Sequence, residues 1–313
     1  MSQTLEILHV PDCPNVAPML AHLRQVTDLP ITTHEISTTS DAAAAGMSGS
    51  PTLLVNGVDV FADRGQPADG PACRIYRDEH GAVVPVPSVA QLRQALATAE
   101  LTAWRDRTHP HDLAEQAVHR AILRAFVDTG RPPVNSDLDP VTEGSGRSTT
   151  EILAALHDLD AIRLDRAGRI AVAYPFSATP TRHRVWIGGG VVVYAMCAVD
   201  ALGIAAMLGG PTRIESADAT TGQPIAVTMA AGRTSWSPTA AVVFLSAKAG
   251  SGPSATCCCD DVNFFADETT ARNWAAHQEF SGQILTQADA EALGTRLFGT
   301  LLAPASHPAT YRG

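Results

Sequence analysis

Cysteine residues that lie far apart along this chain constrain its fold more than any other feature. The tracts Cys197-Ala-Val-Asp200 and Cys257-Cys258-Cys259-Asp260 each place a thiol beside an acid, and a third thiol, Cys13, lies near the start. Neither tract has the paired CxxC spacing of a structural zinc site. Two thiolates and one carboxylic acid can bind a soft metal ion and protonate a leaving group. The pattern therefore predicts a fold that brings these tracts into one reactive site.

Composition limits the classes of protein that need to be considered. A chain of 313 residues is long enough for more than one domain, and a hydrophobic fraction of 45% with a charged fraction of 17% is typical of a folded globular protein. The formal net charge of -10 disfavours nucleic acid and anionic membrane as partners. Lys248 is the only lysine, so a lysine Schiff-base mechanism has almost no candidate residue.

The N-terminal residues predict a β-strand and no targeting segment. Residues 1–10 lack a basic region and a long apolar run, so they do not resemble a signal peptide. No stretch of the chain approaches the ~18 uninterrupted apolar residues of a membrane span. We therefore expect a cytoplasmic protein, in which thiols stay reduced and serve chemistry or metal binding more often than disulfides.

Residues 1–100 resemble a thioredoxin-like α/β domain. A strand over 4–10 leads through Cys13 into a helix over 16–26, and a later hairpin turns at Asn56-Gly57. Cys13 stands where thioredoxins carry their nucleophile, and Gly49-Ser50-Pro51-Thr52 resembles their cis-proline loop.

One feature departs from the thioredoxin pattern. Val16 replaces the second cysteine of the CxxC motif, so Cys13 alone cannot cycle between dithiol and disulfide. Cys73 is a candidate partner, and the alternative is that Cys13 is a leftover thiol.

Residues 110–182 predict a winged-helix-like segment. The pattern indicates a helix from His111 to Phe126, whose apolar stripe contains Leu113, Ala117, Ile122 and Leu123. It also indicates a second helix, opened by a capping box between Ser148 and Glu151, and a small β-wing. From His111 to Ile187 there are nine Arg and ten Asp or Glu residues, so the segment offers no basic face for DNA. Packing, or covering a substrate, is the favoured role.

Residues 183–313 form the third segment, a mixed α/β core in an α+β, multidomain chain. The pattern predicts a strand running into Cys197 and a buried helix over Ala198–Leu208. A helix N-terminus should shift Cys197 towards its thiolate, and burial should let Asp200 hold a proton. The alternative is a buried cysteine and a helix-stabilising aspartate with no chemical role.

The two cysteine tracts resemble those of the organomercurial lyases, also called alkylmercury lyases. The matching residues are Tyr194-Ala-x-Cys197-Ala-x-Asp200 and Cys259-x-x-Val262-x-Phe264-Phe265-Ala266. The resemblance extends over residues 110–300 and makes Cys259 the second catalytic cysteine, with Cys257 and Cys258 outside the motif. Asp218 occupies a position where relatives often carry a further, structural cysteine.

This resemblance implies cleavage of a carbon–mercury bond, in which R–Hg⁺ gives RH and Hg(II). Cys197 and Cys259 would bind mercury, because soft thiolates select soft metals, and Asp200 would protonate the carbon. The Hg(II) product would stay on Cys197, Cys259 and Asp200 until external thiols remove it, and no cofactor is required.

The expected partners are a small organomercurial substrate and thiols or a mercuric reductase that accept the product, with no nucleic acid and no membrane. Two other functions stay open. One is a thiol–disulfide or mercury-relay protein that acts through Cys13, with Cys73 as an accessory thiol. The other is a metal-responsive winged-helix regulator, which would need a basic recognition helix.

Overall fold

The computed structural model describes residues 3–62, 72–78, 81–188, 190–246, 259–278 and 282–303. Contacts divide the chain into two compact units, Met1–Leu101 and Thr102–Gly313. Both units mix helices with sheets. Cys257 and Cys258 lie outside the described residues, so the expectation that they are incidental stays a prediction.

The first unit is built on a four-stranded sheet in the order β2-β1-β3-β4, in which β1 pairs parallel with β2 and antiparallel with β3. Its strands are β1 (Leu5–His9), β2 (Ile31–Glu35), β3 (Thr52–Val55) and β4 (Val58–Asp59), with a separate pair β5 (Tyr76–Arg77) and β6 (Val83–Val84). Its helices are α1 (Val16–Leu23), α2 (Thr39–Ala45) and α3 (Val89–Thr108), and the division between the units falls inside α3.

Local sequence explains the central elements of this unit. Leu5 and Ile7 alternate on β1 and are 2% and 0% exposed, as period-two burial requires. The predicted hairpin is present: Asn56 and Gly57 join β3 to β4 with φ of 53° and 77°. A two-residue hairpin turn of type I′ requires positive φ at both of its central residues. Helix α1 ends at Leu23, three residues before the predicted end.

The second unit contains an eight-stranded sheet in the order β14-β13-β12-β10-β11-β9-β8-β7 and a three-stranded sheet in the order β16-β15-β17. The strands of the large sheet are β7 (Ile162–Leu164), β8 (Ile170–Ala173), β9 (Phe176–Ser177), β10 (His183–Ile187), β11 (Val191–Ala195), β12 (Thr212–Ala217), β13 (Pro224–Ala230) and β14 (Arg233–Ser237). The small sheet has β15 (Val242–Ser246), β16 (Asn263–Phe265) and β17 (Gly282–Leu285). The strands predicted as a wing thus continue, through β9, into the sheet of the predicted core.

Helices of the second unit follow the local capping signals. They are α4 (Leu113–Thr129), α5 (Asp139–Thr142), α6 (Thr149–Asp158), α7 (Ala198–Leu208), α8 (Glu268–His277) and α9 (Gln287–Phe298). Asp112 caps α4, so Leu113 is its first residue and is 80% exposed. The prediction that Leu113 joins the buried stripe is therefore wrong. The capping box of Ser148 and Glu151 is present at the start of α6.

The sequence pattern did not predict strand β14. Its residues are polar and exposed except for Trp236, because it is the edge strand of the large sheet. A strand with one buried side chain lacks the alternation by which strands are recognised. Trp236 donates its indole N–H to Glu291 Oε1 at 2.7 Å.

Helix α7 has the predicted bounds and is buried on nearly all sides. It crosses α9 at two glycines: a Cβ on Gly294 would lie 2.9 Å from the backbone nitrogen of Gly203. Small residues at this crossing let the two helices approach closely. Within the described residues, no helix is both long and apolar enough to cross a membrane.

Candidate active site

Cys197 lies at the junction between β11 and α7. Its backbone is extended (φ -147°, ψ -179°), which makes it the N-cap of α7, and its Sγ accepts a hydrogen bond from the backbone N–H of Asp200 at 3.4 Å. A cap residue takes over one of the N–H groups that a helix start leaves unpaired. The strand-to-helix junction thus aims the thiol of Cys197 and the carboxyl of Asp200 at the same space.

Cys259 reaches this space through one backbone hydrogen bond between the two tracts. The N–H of Ala198 donates to the carbonyl of Val262 at 3.1 Å, which ties the start of α7 to the chain just before β16. Cys259 begins the short 3-10 turn Cys259–Asp261, and its carbonyl accepts from the N–H of Val262 at 3.3 Å. The turn folds the Cys259 thiol back towards Cys197.

Asp218 fixes the other end of the same segment. One carboxylate oxygen accepts from the backbone N–H groups of Thr220 and Thr221, both at 2.8 Å, and the other accepts from Ala266 N–H at 2.7 Å. Asp218 is 3% exposed, and these three backbone donors satisfy its buried carboxylate. This residue therefore joins the turn between β12 and β13 to the end of β16, and it needs no thiol to do so.

Cys197, Asp200 and Cys259 form one compact buried cluster. Their ligand atoms all lie within 4.8 Å of one another, and the Cys259 thiol lies 4.0 Å from Asp200 Oδ2. The side chains are between 5% and 7% exposed. Two sulfurs and one carboxyl at this spacing can hold a single soft metal ion and pass a proton to a group bound on it.

Burial sets the protonation of the cluster. It raises the pKa of Asp200 to about 7, against the lowering effects of the hydrogen bonds with Cys197 and the positive charge of Arg105. Burial also raises the pKa of Cys197 well above its ordinary value, so the prediction of an acidified thiol is wrong. The hydrogen bond with Cys197 lowers the pKa of Cys259, but burial and the nearby charge of Asp200 together outweigh it and raise the pKa. Without mercury, the site therefore favours two protonated thiols and a carboxyl whose pKa lies near neutral pH.

Arg105 is a functional candidate that the sequence analysis missed. It is 6% exposed, and burial lowers its pKa to about 10, with the negative charges of Asp200 and Asp106 opposing this. The tract Trp104-Arg105-Asp106-Arg107 looks like a solvated charged face. Helical spacing was the available signal, because Leu101, Trp104, Arg105 and Thr108 share the buried face of α3.

The other two predicted thiols lie in the first unit. Cys13 is half-buried in the turn between β1 and α1, and Cys73 is exposed; both are free. Cys73 pairs with Ser50 in an isolated backbone β-bridge, and Ser50 precedes the cis-proline Pro51. The carbonyl of Pro51 accepts a hydrogen bond from the Tyr76 hydroxyl at 2.6 Å. The cluster of Cys197, Asp200 and Cys259 lies in the second unit.

Fold and site together define a mixed α/β protein with a buried dithiol–carboxyl centre. Residues 176–299, which contain the whole centre, match the family model described as alkylmercury lyase. The chain is 30% identical over 164 residues to an alkylmercury lyase of Bacillus cereus, across 52% of this chain and 73% of that protein. It is 30% identical over 181 residues to an alkylmercury lyase of Streptomyces lividans, across 58% of this chain and 81% of that protein. The chain therefore belongs to the alkylmercury lyase family.

A solved structure has the same fold over the matching part. The mercury-bound form of MerB2 superposes with a TM-score of 0.56 at 24% identity, and the match covers 65% of this chain and 99% of that one. The remaining part of this chain is additional to that relative.

Proposed function

We propose that this protein is an organomercurial lyase that cleaves R–Hg⁺ into RH and Hg(II). The observation that carries the proposal is the buried cluster of two sulfurs and a carboxyl within 4.8 Å of one another. The cluster lies in the part of the chain that matches the alkylmercury lyase family. Mercury is here the substrate's own metal, and the residues that meet it are Cys197, Cys259 and Asp200.

The first step is capture of the substrate by both thiols. Each thiol loses its proton as its sulfur bonds to mercury, giving a complex in which one carbon and two sulfurs share the metal. Thiols with raised pKa values give up these protons because the bond to a soft metal replaces the bond to hydrogen. The Cys259 thiol lies 4.0 Å from Asp200 Oδ2, so one released proton has a short path to that carboxylate when it is ionised. The remaining released proton passes to solvent.

The second step is protonation of the carbon. Two sulfur donors increase electron density on mercury and give the bound carbon carbanion character. Asp200, whose pKa burial raises to about 7, holds a proton at neutral pH and transfers it to that carbon. The carbon–mercury bond breaks, RH leaves, and Hg(II) remains on two thiolates beside the new carboxylate.

Turnover then needs another thiol. Hg(II) on two thiolates exchanges when a further thiolate attacks it, so external thiols or a mercuric reductase take the product and no cofactor is required. Cys13 and Cys73 are proposed accessory acceptors, since a tethered thiol reaches an effective concentration of ~mM when its linker allows it. This chemistry requires reduced thiols and therefore fits the cytoplasm.

The finer fold assignments are also proposals. A parallel β1–α1–β2 unit next to the antiparallel β3 and β4 supports a thioredoxin-like domain in residues 1–100. Helices α4 and α6 followed by β7 and β8 support a winged-helix-like segment in residues 110–182, ahead of a catalytic core in 183–313. The balanced charge of the middle segment favours a packing role over DNA binding.

The test is release of benzene from phenylmercury by pure protein in excess thiol. Cys197→Ser and Cys259→Ser should each abolish release, because one thiolate cannot replace the pair. Cys258→Ser, one residue away from the motif, is the matched control and should stay active. Loss of activity in Cys258→Ser with retention in Cys259→Ser would show that the wrong cysteine has been assigned.

A further inference from the structure

Arg105 is a buried cation with an unused hydrogen-bond donor. Its Nη1 donates to Thr108 Oγ1 at 3.3 Å, but its buried Nη2 has no partner among the residues that the structure describes. Within the same described ranges it forms no ion pair with a carboxylate oxygen. A buried charge without a partner is costly, so such a group is retained for a reason other than packing alone.

The position of Arg105 relates it to the helix that carries Asp200. Its guanidinium lies over the ring of Phe298, 5.7 Å from the ring centroid. Phe298 in turn packs against Gly203, which stands one helical turn after Asp200 on α7. Gly203 and Asp200 are three residues apart and share one face of α7, so Phe298 contacts both the Arg105 guanidinium and that face.

Two carboxylates act on this charge, the buried Asp200 and the exposed Asp106, and of these only Asp200 shares the buried environment of Arg105. The charge of Asp200 raises the pKa of Arg105, and the charge of Arg105 lowers that of Asp200, in both cases against the larger effect of burial. His119 is also buried nearby, but burial and then the charge of Arg105 lower its pKa to about 3, so it is neutral. Arg105, with a pKa of about 10, keeps its charge at neutral pH.

We propose that Arg105 is a positioning residue for Asp200 in the lyase reaction. Its free Nη2 directs one carboxyl oxygen through a bridging water and leaves the protonated oxygen facing the mercury-bound carbon. As the proton moves to carbon, a carboxylate develops, and the fixed guanidinium stabilises that charge without reorganisation. The inference rests on the proposed function, and it assigns a role to a residue outside the dithiol–carboxyl cluster.

The experiment is a double-mutant cycle on the full chain. Arg105→Met is made in the wild-type and in the Asp200→Asn background, with Arg105→Lys as the conservative variant. The single-turnover rate of benzene release from bound phenylmercury is measured, together with the amount of Hg(II) bound by the two thiols. Arg107→Met, which removes an exposed arginine from the same turn of α3, is the matched control.

The expected result is a loss of about 10- to 100-fold in the rate for Arg105→Met, with Hg(II) binding unchanged and partial rescue by Arg105→Lys. In the Asp200→Asn background the same substitution should have no further effect, because the residue through which it acts is already gone.

Two results would overturn the inference. One is an unchanged rate in Arg105→Met, and another is an equal loss in both backgrounds, which indicates a structural role. If Arg105→Met does not fold, the double-mutant cycle is measured with Arg105→Lys instead. An equal loss of rate in both backgrounds would then also indicate a structural role. Absence of benzene release from the wild-type protein would instead reject the proposed function.

Discussion

Replacement of Asp200 by asparagine tests the chemistry of the site most directly. Asparagine has nearly the same shape but no transferable acid proton, so both thiols should still bind mercury while proton transfer fails. With a pKa of about 7, about half of Asp200 carries a proton at pH 7. A positioned general acid contributes ~10²–10⁴-fold, and the single-turnover rate of Asp200→Asn should fall by that factor.

The assay follows benzene released from phenylmercury that is already bound, so that capture and chemistry are separated. The wild-type rate should fall as the pH rises through about 7, because the reactive acid form of Asp200 is lost there, and the variant should lack this dependence. Asp260→Asn is the matched control, since Asp260 is exposed and adjacent to Cys259. Undiminished release by Asp200→Asn, or an equal loss in Asp260→Asn, would refute the assignment of Asp200 as the proton donor.

Three further outcomes are expected. Asp200→Asn should raise the free energy of unfolding by about 4 kcal/mol at pH 8, because it removes a carboxyl whose pKa burial raises from 3.8 to about 7. Burial penalises the ionised form, so the gain should be absent below pH ~4 and grow as the pH rises to ~7, which thermal unfolding across pH would check. Asp218→Ala removes the acceptor of three backbone N–H groups, that of Ala266 being buried, and should lower the free energy of unfolding in denaturant by about 1–3 kcal/mol. An unchanged unfolding midpoint would show that Asp218 has no structural role. Cys13→Ser combined with Cys73→Ser should keep single-turnover cleavage but slow multiple turnover at low external thiol, and equal rates across thiol concentrations would exclude these thiols from product transfer.

Local interactions explain the features that the sequence predicted well. Helix α7 has its predicted bounds because the capping residue Cys197 and the run of alanines lie within one continuous segment. The capping box of Ser148 and Glu151 is equally local. The choice of Cys259 came instead from the resemblance of Val262 and the phenylalanines to the family motif, and Cys259 lies in the cluster.

Properties that depend on distant segments could not be read from the pattern. A helix N-terminus predicts an acidic thiol at Cys197, but burial reverses the direction of its pKa shift. Leu113 has the right spacing for a buried stripe and is exposed, because Asp112 starts the helix at the surface.

The sequence by itself determined which side chains can perform the chemistry and the local turns that present them. Tertiary structure alone decided their charge states and their neighbours. Desolvation depends on every segment packed around a group, so the reversed pKa shift of Cys197 could not be read from the residues next to it in the chain. The crossing of α7 and α9 at Gly203 and Gly294, and the contact of Arg105 with Phe298 on α9, join residues that are remote in the chain.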